Sequence, residues 1–155
     1  MNKFTREFNP KATDIAVCGS MAHATEMKNV IAELRQMGLS VSTPEMSEQK
    51  FDWQQASNAE IAAHKGQLVR RHFANIARAK AVLVCNYDKN DIANYIGTNT
   101  LMEMTAAFAY EKPIFLLNPV PHQNGREEIL AMEPVVIEGN LMELASLYHT
   151  ITRQG

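Results

Sequence analysis

An α/β fold built on a five-stranded parallel sheet is what this sequence predicts, and three observations carry the prediction. Short apolar runs alternate with stretches of helical periodicity along the chain. The first run, Asp14 to Cys18, ends at Gly19-Ser20; an amphipathic helix follows, Gly38 closes it, and a second run begins at Leu39. Strand, short loop, helix, glycine, strand is the pattern of a parallel β-α-β unit. The third run, Ala81 to Cys85, is apolar throughout, as a central parallel strand covered on both faces must be.

The first helix is read from Met27, Val30, Ile31, Leu34 and Met37, which recur every three or four residues and form one apolar stripe. Leu39 to Thr43 is the second strand, ended by Pro44. Glu45 to Ser57 is polar apart from Phe51 and Trp53 and reads as a loop or lid with a short helical turn. A long helix then runs from Asn58 to Lys80 through Ile61, Leu68, Phe73 and Ile76, with Gly66 as a break or bend. His64, Arg70, Arg71 and His72 are assigned to its solvated face. After the third strand comes the polar loop Asn86 to Asp91, and then a helix from Leu101 to Ala109, with Asn99 or Thr100 as its N-cap and a stop at Lys112 before Pro113. Pro113 to Leu117 is the fourth strand, Arg126 to Met132 a short helix and Pro134 to Ile137 the fifth strand. Asn140 caps a terminal helix reaching to about Thr152.

At 155 residues the chain has the size of one domain. A net charge of −2 with mixed signs leaves no basic face for nucleic acid and no polybasic patch for a membrane. The apolar settings of Cys18 and Cys85 suit reduced core thiols, neither a disulfide framework nor a metal site. With no apolar signal region at the N-terminus and no membrane-length apolar run, a cytoplasmic location is expected.

Chemistry converges where the loops after the first, third and fourth strands leave the carboxyl edge of the sheet. They bring Gly19, Ser20, Asp88 and Asn118 toward the start of the helix that carries Glu103; Gly97 and Asn99, on the approach to that helix, complete the expected substrate-binding set. Gly19 would let the backbone pass close to a ligand, and Ser20 would hold a phosphate or a sugar hydroxyl. Asp88 and Asp91 are sugar or base contacts, or ordinary loop aspartates; the glycine and distal glutamate of a calcium loop are missing. Glu103 in a first helical turn stays ionised and serves as a nucleophile or base, or it completes a capping box with Thr100. Neither G-x-G-x-x-G nor G-x-x-x-x-G-K-[ST] occurs, and the first loop lacks the Ser/Thr run that would hold a flavin phosphate.

Cys18-Gly19-Ser20 after the first strand, together with Met102-Glu103-Met104-Thr105-Ala106-Ala107-Phe108-Ala109-Tyr110-Glu111-Lys112-Pro113-Ile114, resembles the nucleoside 2-deoxyribosyltransferase-like superfamily. The order and spacing of elements agree over most of the chain. The resemblance implies a flavodoxin-like (Rossmann-like) three-layer sandwich and a glutamate nucleophile, for which Glu103 is the matching residue. It implies attack on the anomeric carbon of a nucleoside or nucleotide, a glycosyl-enzyme ester, and release to water or to another base, as in retaining glycosidases. No metal or redox cofactor is required. The family builds its pocket between subunits, so a homodimer or a multiple of it is expected, with the Glu103 helix near the interface and Phe108 and Tyr110 as interface aromatics. A nucleotide-binding or sensing module without turnover, with Glu103 only capping its helix, is the rival class.

Overall fold

Residues 8–44 and 50–154 are described by a computed structural model. Most of the polar lead-in and the Glu45–Gln49 part of the expected lid lie outside the described residues. Strands β1 (Thr13–Gly19), β2 (Val41–Ser42), β3 (Ala79–Cys85), β4 (Ile114–Leu116) and β5 (Val135–Val136) form one sheet in the order β2-β1-β3-β4-β5, every neighbouring pair parallel. Helices α1 (Ala24–Gln36), α2 (Asn58–Arg78), α3 (Thr98–Ala109), α4 (Arg126–Ala131) and α5 (Leu141–Gln154) cover its two faces, giving the flavodoxin-like three-layer arrangement. From β1 the chain steps outward to β2 and then crosses back to β3 on the other side. Such a reversal opens a crevice at the carboxyl ends of the two strands.

Strand side chains alternate between the faces with a period of two. Ile15 and Val17 of β1 join Ala81, Leu83 and Cys85 of β3 against Met27, Ile31 and Leu34 of α1 and Leu141, Leu144 and Tyr148 of α5. Ala16 and Cys18 join Val82 and Val84 against Ile76 of α2 and Met104 and Ala107 of α3. The two cysteines are buried and unpaired and point to opposite faces, so adjacency of their strands gives no route to a disulfide. Tyr148 Oη donates to Asp14 Oδ1 at 2.5 Å and fastens the last helix to the start of β1.

Several boundaries differ from expectation. α2 runs through Gly66 without interruption, because a capping box at Ser57 and Glu60 starts it and its apolar face is packed on the sheet. A 3₁₀ turn, Met21–His23, separates Ser20 from α1. Helix α3 begins at Thr98 with Gly97 as N-cap, so Thr100 is buried inside the helix and no acidic residue stands in the first turn. Glu103 is therefore in the second turn, and the Thr100–Glu103 capping box does not form. Its C-terminus closes with Lys112 N–H on Ala107 C=O and Glu111 N–H on Phe108 C=O, a Schellman arrangement that leaves Glu111 left-handed at φ 56°. Helix α1 ends in the same way on Gly38 at φ 85°.

Candidate active site at the carboxyl edge

A cleft of about 970 Å³ opens where the loops after β1 and β3 part, and Gly19, Ser20, Gly97, Asn99 and Glu103 all line it. Its floor is polar where the rest of the interlayer space is apolar. α3 delivers Glu103 and α2 supplies His72, whose side chain is buried, to the lining, while β1 places the fully buried Cys18 behind them. His72 Nδ1 lies 2.5 Å from Glu103 Oε1. With Glu103 as a carboxylate, which can only accept, Nδ1 carries the proton and donates. The two side chains are 7% and 14% exposed, so water screens this contact weakly. Among the described residues, His72 Nε2 and Glu103 Oε2 are buried without a hydrogen-bond partner. Burial pushes the Cys18 thiol well above its ordinary range and the nearby Glu103 charge adds to this; Cys85, on the other face, is pushed up to about 12 by burial.

His72 is thus a correction to the solvated-face assignment. The signal was present: residue 72 stands four after Leu68 and four before Ile76, on the very stripe that packs toward the sheet. A histidine on an apolar stripe needs a partner, and Glu103 of the neighbouring helix is that partner.

Lys89 also went unread. Asn90 and Asp91 are both left-handed (φ 54° and 58°), with Lys89 N–H on Ile92 C=O and Ile92 N–H on Lys89 C=O, a two-residue turn of the type I′ kind. This turn folds Lys89 back so that Nζ donates to Ser20 Oγ at 3.1 Å. Ser20 Oγ also accepts from Ala22 N–H at 3.3 Å. A cation and a hydroxyl from two different loops therefore meet beside the cleft.

Asp88 and Asn118 lie outside the cleft wall. Asp88 Oδ1 accepts from Asn94 N–H and shapes its own loop. Asn118 is locked to Asn86: Asn118 N–H donates to Asn86 Oδ1 at 2.9 Å, and Asn118 Nδ2 donates to Asn86 C=O at 2.8 Å. Asn86 Nδ2 in turn reaches the carbonyls of Asn94, Asn118 and Pro119. This buried clasp ties the loops after β3 and β4 together, and Gln123 fixes the approach to α3 by pairing with both N–H and C=O of Ile96 at 2.8 Å. Gly19, which lines the cleft, has a packing reason as well. A Cβ there would stand 2.8 Å from Met27 Sδ and 3.1 Å from Cys85 O, so close packing of β1 on α1 and β3 demands glycine.

Aromatic walls flank this floor. Phe73, Tyr95 and Trp53 line the cleft, and Trp53 is held by Phe51 at 4.5 Å between centroids, with Phe51 stacked on His64 of α2 at 4.2 Å. The described part of the expected lid is thus fastened to α2 within one subunit.

No protein-family model matches this chain, and no curated protein matches it in sequence. Among solved structures, a 2-deoxyribosyltransferase from the psychrotolerant bacterium Bacillus psychrosaccharolyticus superposes with a TM-score of 0.51 over 68% of this chain and 72% of its own, at 18% identity. The chain shares that enzyme's fold. A conserved protein from Enterococcus faecalis V583 aligns over 83% of this chain and 78% of its own, at 17% identity and a TM-score of 0.46. The fold implied by the sequence resemblance is the fold found. Among the described residues, no helix is long and apolar enough to cross a membrane.

Proposed function

We propose that this protein cleaves or transfers the N-glycosidic bond of a nucleoside or nucleotide, with Glu103 as nucleophile. The observation that carries the reading is a carboxylate held by one oxygen on a buried histidine at the floor of a cleft large enough for a nucleoside. His72 fixes the side-chain rotamer and leaves Oε2 without a partner. Attack by a Glu103 oxygen on the anomeric carbon forms the ester as the base departs with the bonding electron pair and takes a proton from solvent, which the attacking water or second base gives back in the next step. Water, or the nitrogen of a second base, then attacks the same carbon and returns the carboxylate. Tyr95, Trp53 and Phe73 offer flat apolar surface for the base, while Ser20 and Lys89 stand where a hydroxyl or a 5′-phosphate would be met. The fold shared with a 2-deoxyribosyltransferase supports the same reaction class.

The test is a panel of nucleosides and their 5′-monophosphates, incubated with the protein and chromatographed for free base. Release or exchange of base by the wild type, and none by Glu103→Gln with an unchanged circular-dichroism spectrum, is the expected result. Turnover retained in Glu103→Gln ends the nucleophile assignment. A nucleotide-binding module without turnover is the second reading, favoured by the burial of Oε2. Tight nucleotide binding with no base released from any member of the panel would select it.

The working form is read as a homodimer or a multiple of it. Met104 faces the core, but Met102, which lines the cleft, and Phe108, farther along α3, are 41% and 52% exposed, as an interface helix would leave them. Light scattering at micromolar concentration checks this; a monomer mass with activity insensitive to dilution excludes it.

A further inference from the structure

We infer that Cys18, His72 and Glu103 form a binding site for a borderline-soft divalent cation of the zinc class at the floor of the cleft. The three offer a sulfur, an imidazole nitrogen and a carboxylate oxygen that all lie within 4.8 Å of one another. They come from β1, α2 and α3, elements packed into one core, so the donors are held by the scaffold and not by mobile loops. Cys18 is fully buried, and His72 is 6% exposed.

An orphaned atom gives the second, independent observation. A buried polar atom without a partner costs stability, and native proteins leave few of them unexplained. Glu103 Oε2, the carboxylate oxygen that His72 does not hold, is such an atom and belongs to the three-residue cluster. A cation held by His72 Nδ1 and the Glu103 carboxylate takes up the Oε2 lone pair that no protein donor meets. The donor set also selects the ion: thiolate and imidazole favour zinc-like metals, whereas magnesium and calcium call for oxygen shells. One thiolate and one carboxylate neutralise a double positive charge. Three protein ligands, of which His72 and Glu103 line the cleft, match the composition of an accessible zinc site, unlike the closed four-ligand structural type.

Binding requires one local change. Donors on a tetrahedral zinc stand about 3.3 Å apart for bonds near 2.0 Å, so the 2.5 Å His72–Glu103 contact is the metal-free pairing. The cation replaces the shared proton, and the two side chains separate by a fraction of an ångström. This inference stands independently of the glycosidic reading. Where both hold, a metal-bound Glu103 cannot form an ester, and the cation switches the transfer reaction off.

Cobalt(II) is the probe, because its bond to a thiolate absorbs in the near ultraviolet and its tetrahedral complexes absorb strongly in the visible. The full chain, stripped with a chelator, is titrated with cobalt, and zinc is then added in competition. The expected result is a one-to-one complex with the thiolate band, displaced by zinc and untouched by magnesium. Cys18→Ser removes the band, and His72→Gln weakens binding by more than the roughly ten- to hundredfold that even an outer-shell change costs. Cys85→Ser, on the opposite sheet face, leaves both unchanged. Circular dichroism verifies that each variant is folded; should Cys18→Ser fail to fold, zinc-dependent elevation of the wild-type melting temperature, absent in His72→Gln, reads the same site. No thiolate band, or a band that survives Cys18→Ser, overturns the inference. Base release by the metal-free protein is scored separately, so a cobalt complex without turnover, or turnover without a complex, shows which of the two readings has failed.

Discussion

The two faces of the sheet are built from the same strands and differ in what they bury. Against α1 and α5 the filling is continuous apolar matter: Ile15, Val17, Leu83 and Phe115 meet Met27, Ile31, Leu34 and Leu144. Against α2 and α3 the same layer begins as Ala16, Val82, Val84 and Ile114 but ends, at the carboxyl edge, in Cys18, His72 and Glu103. One face supplies stability from area removed from water, whereas the other exchanges part of that gain for a pair of buried polar groups. Fold and chemistry are thus divided between faces of a single sheet, and the division makes measurable claims.

The largest effect separates the faces directly. Leu144→Ala, deep in the apolar face, should cost about 2 to 5 kcal/mol by transfer and cavity terms. His72→Leu should cost a similar amount, about 3 to 5 kcal/mol, because Glu103 is left buried and unpaired. Adding Glu103→Met to His72→Leu should restore most of that loss while abolishing any turnover, since a buried polar pair replaced by apolar groups of similar size is close to neutral. Urea midpoints of the three proteins decide the matter. If the double variant is as unstable as the single, the two side chains are not energetically coupled, and the contrast between the faces fails.

A smaller effect concerns a polar fastening on the apolar face. Asp14 is pushed up by burial, but hydrogen bonds from Tyr148 and Ser40 outweigh that and hold it below its ordinary 3.8. Tyr148 is pushed above its ordinary 10.0 by burial and by the Asp14 carboxylate. The sign follows from both shifts. Their bond contributes fully between pH 3.8 and 10.0, is lost below as Asp14 takes up its proton, and is lost above as Tyr148 releases its own. Tyr148→Phe should therefore cost about 1 to 2 kcal/mol at neutral pH, discounted for partial exposure. Melting temperatures of wild type and variant should converge toward acid. A gap that stays constant from neutral pH down to the acid limb would show that the bond contributes nothing.

The smallest effect lies at the rim of the cleft. Ser20→Ala, with Gly19 untouched, removes the hydroxyl shared by Ala22 and Lys89 and should weaken ligand affinity by about 1 kcal/mol, the scale of one hydrogen bond. Isothermal titration with the ligand selected by the base-release panel measures it, and an unchanged dissociation constant takes Ser20 out of the site.

Most of the architecture was legible because it rests on local rules. The order of elements, the apolar central strand β3, the stripe of Met27, Ile31 and Leu34, and the Gly38 stop all follow from period and turn chemistry. Boundaries were missed where the local signal was absent. Helices α1 and α3 close with the same backbone motif, but α3 places Glu111, not glycine, at the left-handed position, and its start at Gly97 has no side-chain cap. Tertiary packing of Thr100, Met104 and Ala107 sets those limits, overriding the capping spacing of Thr100 and Glu103.

The sequence by itself determined the sheet, its layers and the edge at which the loops gather, because hydrophobic period and short connections leave few topologies open. It also singled out Gly19, Ser20, Gly97, Asn99 and Glu103, which line one cleft. Only the tertiary structure decided who their neighbours are. His72 is 31 residues from Glu103 in the chain; Lys89 is 69 residues from Ser20; and Asn86 is 32 from Asn118. No periodicity encodes such pairings. They arise because parallel strands are joined by long crossovers, which carry residues far apart in sequence to the same end of the sheet, and there the buried polar groups must find one another or remain unpaired.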